Sequence, residues 1–412
     1  MLFRKLIEAT VRVGALKMVE PDGTATLMGD GSKPKCTLAV KRSPSTHKLL
    51  ANPVLAIAES YMDGDWSVED GDLRDFMELA MKNYANLEGH PVTKAANKML
   101  RQGRNLQQYN PIGKARENVA HHYDLSRELY DLFLDSDRQY SCAYFMDPGD
   151  DLERAQAQKK RHIAAKLYIK QPGLKVLDIG SGWGGLGLSL ARETGCDLTG
   201  VTLSTEQHGL SSERVKQEGL EDKVRFELRD YREVNDTFDR IVSVGMFEHV
   251  GKRNYEEFFR KTYDLLDEDG VFLLHTIGRY NEPGPVNPFI RKYIFPGGDL
   301  PTLSELTPVI EDSGFYMMDI ELLRLHYAET LRHWHEAFQR NRDKVRDLYD
   351  ERFCRMWEFY LVGSEMGFRH EGLVVFQILL AKKQDALPLT RDFITEWEQA
   401  HPLPWEKQSA AE

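Results

Sequence analysis

The stretch VLDIGSGWGG (176–185) carries an apolar run into four glycines. Gly180, Gly182 and Gly185 satisfy G-x-G-x-x-G directly after a strand-like segment, the spacing of a turn that receives a nucleotide-bearing ligand. Dinucleotide sites share that spacing, so it leaves two ligand classes open. Two neighbouring features narrow the choice. A dinucleotide site usually has an acid about 20 residues further on to hold a ribose, whereas LTGVTLS (198–204) offers Thr202 and Ser204, with Glu206 a little beyond. Asp178, just ahead of the first glycine, would repel a pyrophosphate and attract a cation. S-adenosylmethionine presents both an ammonium and a sulfonium, so a carboxylate here favours it over a phosphate ligand. The glycines then serve close backbone approach.

The elements that must position this turn are legible around it. KVLDI (175–179), DLTGVTL (197–203), KVRFEL (223–228), FDRIVSVG (238–245) and GVFLLHTIG (270–278) read as strands separated by helix-forming stretches. FYMMDIELL (315–323) and GLVVFQILLA (372–381) read as two more, with a long helical insertion between them over about 328–365. This alternation predicts a doubly wound, mostly parallel, seven-stranded α/β sheet whose ligands gather where the strands end. Residues 1–85 read as a small α/β unit with a possible basic amphipathic helix over 2–19, short strands, and helical periodicity around 73–80. GRNLQQYNPIGKAR (103–116) has Gly and Asn-Pro punctuation and little apolar periodicity, which predicts a linker over about 86–118. The catalytic part is then expected over 119–412.

At 412 residues the chain has room for two or three domains. Its longest apolar stretch, GLVVFQILLA, is about half the ~20 residues that a membrane-spanning helix needs. The amino terminus lacks the apolar core and small-residue cleavage site of an export signal, so a cytoplasmic protein is expected. Cys36, Cys142, Cys196 and Cys354 lie far apart without CxxC or Cys/His spacing, which suggests no metal site and no disulfide framework. A net charge of -11 argues against an extended nucleic-acid footprint. The charge is nonetheless uneven: residues 1–50 hold nine Lys/Arg against four Asp/Glu. Lys94, Lys98, Arg101, Arg104, Lys114 and Arg116 form an acid-free run between Glu88 and Glu117. That run reads either as a contact for an anionic membrane surface or as a solvated linker.

Further motifs occur in order: ESYMDGDW (59–66), HYDLS (122–126), YSCAYF (140–145), GVTLSTEQ (200–207), SVGMFEHVG (243–251), HTIG (275–278) and KYIFPGG (292–298). Through these and the glycine turn the chain resembles the cyclopropane fatty acid synthases, including the mycolic acid cyclopropane synthases, over nearly all of residues 1–400. The resemblance implies the Rossmann-like fold of class I S-adenosylmethionine-dependent methyltransferases. It implies cofactor contacts from Tyr140, Ser141, Gly180, Thr202, Gln207, Asp230 and Tyr231, beside Asp178 and Gly182 of the turn. Tyr231 would cover the adenine face, Asp230 would accept from the exocyclic amine, and Thr202 and Gln207 would hydrogen-bond the ribose. The mycolic acid branch carries Trp and Glu where Tyr231 and Arg232 stand.

The same resemblance implies a bicarbonate pocket built from Cys142, Gly245, Glu248, His275, Ile277 and Tyr327, with Glu248, His275, Tyr327 and Cys142 catalytic. An isolated cis alkene has no proton to remove beforehand, so it must be pressed against the methyl donor in a dry cavity. Closing a three-membered ring then needs a base within about 3 Å of the added methyl. A strongly nucleophilic side chain there risks alkylation, whereas a small bound oxyanion takes the proton and stabilises the cation. In this scheme Glu248 accepts the bicarbonate hydroxyl proton, His275 and Tyr327 orient the anion and relay the proton, and Cys142 and Ile277 offer main-chain groups. Taken singly, Cys142 also reads as a buried hydrophobe and Tyr327 as a core aromatic. Glu248 is hardest to explain by packing, because a carboxylate beside Met246 and Phe247 is costly unless paired.

By resemblance, bacterial enzymes of this family act on unsaturated chains of intact phospholipids and carry an extra amino-terminal domain like residues 1–85. A peripheral enzyme on the inner face of the membrane, forming a homo-oligomer such as a dimer, is therefore expected. NPFIRKYIF (287–295) and the insertion would line an apolar channel, or else serve as ordinary core. Alternatives are methyl transfer without ring closure, giving methylene or methyl-branched chains, methylation of an amine, and a non-catalytic lipid-binding protein.

Overall fold

The computed structural model describes residues 2–89 and 125–409. The basic run at 94–116 and most of HYDLS lie outside the described residues, while residues 86–89 complete a helix, Tyr84–Gly89. The chain folds as two compact units. One comprises the described residues up to 89 with Gly284–Pro296 and Leu331–Leu373; the other comprises 125–283, Gly297–Thr330 and 374–409.

The first unit contains a four-stranded sheet of β1 (Ala15–Val19), β2 (Ala25–Gly29), β3 (Lys35–Val40) and β4 (Trp66–Glu69), in the order β2-β1-β3-β4. The helix expected over 2–19 stops at Thr10 and β1 follows. Asn83 Oδ1 accepts the N–H groups of Arg12 at 2.7 Å and Val13 at 3.0 Å, withdrawing them from helical bonding, and Gly14 at φ +95° turns the chain. Leu16 and Met18 then alternate inward at the period of a strand. Phe3, Leu38, Trp66 and Phe76 share a core with Val362 and Met366 of the insertion. From Leu331 onward the insertion therefore folds with the amino-terminal segment, although the sequence brackets it between strands of the other unit. Its long helix, Glu351–His370, lies against the helices Pro53–Met62 and Leu73–Lys82. Of the aromatic segment at 287–295, Phe289 is buried against Phe359, their rings 5.0 Å apart, and Phe295 meets Tyr360 at 6.0 Å, so this segment contributes core here.

The second unit is the α/β sheet anticipated from the strand spacing. Its seven strands are β5 (Lys175–Ile179), β6 (Asp197–Thr202), β7 (Val224–Leu228), β8 (Phe238–Val244), β9 (Leu266–Arg279), β10 (Tyr316–Leu322) and β11 (Leu373–Ala381). They run in the order β10-β11-β9-β8-β5-β6-β7. The pairs β5/β6, β5/β8, β6/β7 and β8/β9 are parallel, and β10/β11 is antiparallel. Order reverses at β5, where β6 lies on one side and β8 on the other, and this is the switch point at which ligands of open sheets collect. Apolar clusters fill both faces, one around Val176, Leu198 and Leu273 and one around Leu177, Ile241 and Phe272. Adjacent residues of β5 thus point to opposite cores. Among the described residues no helix is long and apolar enough to cross a membrane.

In the first unit, Glu59 of the ESYMDGDW motif accepts from Lys292 at 2.5 Å, Tyr293 at 3.0 Å and Lys48 at 3.1 Å. Burial works against its ionisation, but these donors prevail and hold its carboxyl down to about 2. The ionised form therefore stabilises the fold above the unfolded-state carboxylate range, and the contribution is lost as pH falls towards 2. With both lysines half exposed and solvent-screened, Glu59→Gln should cost about 1 to 2 kcal/mol in urea denaturation at neutral pH. The gap from wild type should narrow as the pH is lowered below 4.5, towards 2.

Candidate active site

Every sequence-assigned residue of the glycine turn lies at the carboxyl edge of the parallel strands. The chain leaves β5 through Gly180 (φ +85°) and Gly182 (φ +54°) and enters the helix Gly185–Thr194. The two glycines differ in purpose. A Cβ on Gly180 would stand 2.6 Å from Met246 Cβ, so that position serves packing, whereas a Cβ on Gly182 would meet nothing within 4 Å and leaves room for a ligand. Asp178 is 1% exposed, and its Oδ2 is buried without a hydrogen-bond partner among the described residues. Burial raises this carboxyl to about 7, against the pull of the Lys159 ammonium. Ser181 Oγ, beside it in the turn, is likewise buried and unpartnered among the described residues. An unpaired anionic oxygen, an unpaired hydroxyl and an open glycine fit a ligand with a cationic head.

The rest of the cofactor set is near but partly engaged. Thr202, at the end of β6, donates to Gln207 Oε1 at 2.9 Å, while Ser204 caps the helix Thr205–Gln217. Asp230 follows β7, and both of its oxygens are occupied by Arg232, at 2.9 and 2.7 Å. Tyr231 is buried with its ring edge-on to Phe258 at 5.4 Å. Tyr140 meets Tyr130 at 5.4 Å, and Tyr130 in turn meets Trp183 of the glycine turn at 5.8 Å. Ser141 Oγ accepts from Lys159 at 2.8 Å.

The residues assigned to anion binding form two knots. In the first, parallel register sets Val244 beside His275, and Gly245 N–H donates to His275 O at 3.0 Å. Glu248, in the short 3-10 turn after β8, accepts the Ile277 N–H on Oε1 at 2.6 Å. The Ile277 N–H is therefore spent on orienting Glu248. Glu248 Oε2 is buried without a hydrogen-bond partner among the described residues, and burial raises the carboxyl to about 7 against the pull of the Ile277 N–H, its own N–H and the Thr276 hydroxyl. In the second knot Thr330 Oγ1 accepts from Ala143 N–H at 3.0 Å and donates to His326 O at 2.8 Å. This ties the Cys142 segment to the helix His326–Arg340, on whose first turn Tyr327 stands. The Cys142 thiol is fully buried and pushed well above its ordinary range by that burial.

Lys159 links the two neighbourhoods. It is wholly buried on the helix Leu152–Leu167, donates to Gln139 at 2.6 Å and Ser141 at 2.8 Å, and its charge acts on Asp178, Cys142 and His275 alike. Desolvation lowers its own ammonium to about 8. Sequence reasoning did not single out Lys159, because a lysine in a helix-forming stretch such as QAQKKRHIAAK has the same appearance whether it faces water or a sheet. It also missed Thr330 and Gln377, whose amide lies 3.1 Å from His275 Nδ1. Gln377 had a signal: it is the one polar residue in GLVVFQILLA.

Comparison with known proteins identifies relatives of this chain and of its fold. The family model described as mycolic acid cyclopropane synthetase matches residues 112–378, and a domain of unknown function (DUF7884) matches residues 2–89. The cyclopropane-fatty-acyl-phospholipid synthase of Escherichia coli strain K12 is 39% identical over 86% of this chain and 89% of its own length. The tuberculostearic acid methyltransferase UfaA1 of Mycobacterium tuberculosis is 34% identical over 92% of this chain and 90% of its own length. The crystal structure of the mycolic acid cyclopropane synthase CmaA1, complexed with SAH and CTAB, aligns with a TM-score of 0.62 at 34% identity, covering 66% of this chain and 99% of that one.

If Asp178 receives the cationic head of S-adenosylmethionine, it must shed its proton to do so, and affinity should fall as pH drops below about 7. The expected limit is about tenfold per pH unit, the linkage of a single proton. Asp178→Asn should weaken binding by about 10- to 100-fold at pH 8 and remove this pH dependence. Isothermal titration calorimetry in buffers of different ionisation enthalpy measures both the affinity and the released proton.

Proposed function

The chain belongs to the mycolic acid cyclopropane synthetase family and is an S-adenosylmethionine-dependent methyltransferase, and on that premise we propose that it cyclopropanates cis-unsaturated acyl chains of membrane phospholipids with bicarbonate as the proton acceptor. The observation that carries the proposal is Glu248: buried, aimed by the Ile277 N–H, and with Oε2 left unpartnered among the described residues. Amine methylation needs no such group, since an amine brings its own lone pair.

S-adenosylmethionine, when bound, supplies the one-carbon unit from its sulfonium. Bicarbonate, when bound, supplies a small oxyanion that takes a proton from the added methyl without being consumed by it. Asp178 and the open backbone at Gly182 would hold the donor's cationic head. Glu248 Oε2 would accept the hydroxyl proton of the anion, and His275 on β9 and Tyr327 on the helix after β10 would orient it. Cys142 contributes its main chain, which Thr330 holds in place through Ala143. Gly245, at φ +67° with open space where a side chain would stand, keeps the floor of the pocket clear. The low-dielectric surroundings strengthen each of these interactions relative to water.

For residues 1–85 we propose a lipid-contacting and oligomerising role, with 86–118 as a basic connection and 119–412 as the catalytic domain. The enzyme would then work as a homo-oligomer, for example a dimer, at the cytoplasmic face of the membrane. The surplus of five basic residues in 1–50 and the run from Lys94 to Arg116 support attraction to anionic headgroups. A second reading is methyl transfer that leaves a methylene or methyl branch. It is favoured by the 34% identity to a tuberculostearic acid methyltransferase, and it too needs deprotonation.

Incubation with S-adenosylmethionine, bicarbonate and vesicles of cis-unsaturated phospholipid should yield acyl chains heavier by one CH₂ with upfield cyclopropane proton signals. An added carbon with a surviving double bond would establish the second reading. Glu248→Gln should lower turnover by about 100-fold or more while calorimetric S-adenosylmethionine affinity stays within about twofold. Equal loss of both would move Glu248 into the cofactor site.

A further inference from the structure

β11 is buried along almost its whole length, and Gln377, wholly inaccessible at its centre, interrupts an otherwise apolar strand. An amide in such a place is costly unless both of its ends are bonded. Both are. Lys166 Nζ stands 2.8 Å from Gln377 Oε1, and Gln377 Nε2 stands 3.1 Å from His275 Nδ1. An ammonium has only donors, so the end facing Lys166 must be the carbonyl oxygen and the end facing His275 must be the amide nitrogen. That nitrogen only donates, so Nδ1 accepts and the ring proton is carried on Nε2.

We infer that Gln377 is a positioning residue that locks His275 as the neutral Nε2–H tautomer, its amide turned the right way by Lys166. The inference rests on the reading above in which His275 lines the anion pocket, and it deepens that reading: His275 meets the anion as a hydrogen-bond donor and does not itself accept the proton. Lys166 is held by Glu321, which also receives His162 Nε2 at 2.8 Å, and His162 Nδ1 reaches Glu398 at 2.8 Å. His275, Gln377, Lys166, Glu321, His162 and Glu398 thus form one continuous polar rod. The charged and titratable groups acting on His275 are Lys159, Lys166 and His162 on the helix Leu152–Leu167 and Glu321 on β10. Burial, reinforced by the two ammonium groups, pushes the imidazole down to about 3, so it stays neutral throughout the working pH range.

The test uses the full-length protein with ¹⁵N-labelled histidine, the His275 signals being those absent from His275→Gln. Two-bond nitrogen–proton correlation in wild type should show a protonated Nε2 and a bare Nδ1; the opposite pattern overturns the inference without any further variant. Gln377→Met keeps the volume but not the bonds. It should mix the tautomers and lower kcat by about 10- to 100-fold, with the KM for S-adenosylmethionine within about twofold. Gln377→Glu, which accepts from Nδ1–H, should move the proton to Nδ1 and shift imidazole protonation to higher pH. Unchanged tautomer and unchanged kcat in Gln377→Met would overturn the inference. If the tautomer shifts as expected but His275→Gln retains wild-type kcat, the bond from Gln377 stands and the catalytic reading of His275 falls.

Discussion

Two carboxylates buried at the carboxyl edge of a parallel sheet, each with one oxygen lacking a partner among the described residues, set the terms for the catalytic unit. Moving an ion from water into protein costs several kcal/mol even after relaxation, unless charge or hydrogen bonds replace the lost water. Asp178 and Glu248 are each only partly compensated, and both respond by holding their protons more tightly. In the proposed mechanism the cationic head of the methyl donor would complete Asp178, and a hydroxyl donated by the bound small anion would complete Glu248. The order of the strands makes this possible, because β5 and β8 are parallel neighbours and their ends open on the same side.

The positive side of the balance comes from one helix. Lys159, His162 and Lys166 fall at i, i+3 and i+7 on Leu152–Leu167, the spacing of a single stripe, and all three are buried. A stripe facing a sheet is ordinarily apolar. Here it brings two ammonium groups and an imidazole under the site, and the amide of Gln377 and the carboxylates of Glu321 and Glu398 complete their bonding. The arrangement places charge beneath the site on side chains that are themselves buried. It also explains why Gln377 interrupts an apolar strand: an apolar residue there would leave a donor of Lys166 and the Nδ1 of His275 both unmet.

The parallel sheet was legible because its strands are short apolar runs separated by helices, and each begins or ends within a few residues of the expected position. Asp178, the glycines and Glu248 stood out for a related reason, since they are chemically out of place next to such runs. Lys159, Lys166 and Thr330 carried no such mark. A lysine in a helical stretch has the same appearance in sequence whether it faces water or a sheet, and only the packing of the helix on β8 and β9 decides which. The amino-terminal helix ran too long in the sequence reading because the periodicity of Val11 to Val19 suits two structures. Asn83, some seventy residues away, selects between them.

What the sequence by itself determined is the local chemistry: the strand period, the turn that only glycines make, and the presence of acids where an apolar setting makes them expensive. These depend on near neighbours along the chain. What only the tertiary structure decided is which polar groups share a low-dielectric space: that Ile277 is spent on Glu248, that Asp230 is already paired with Arg232, and that Gln377 faces His275 from a strand a hundred residues away. Burial and hydrogen bonding act through space, and the same side chain is a solvated ion or a buried one according to what folds over it.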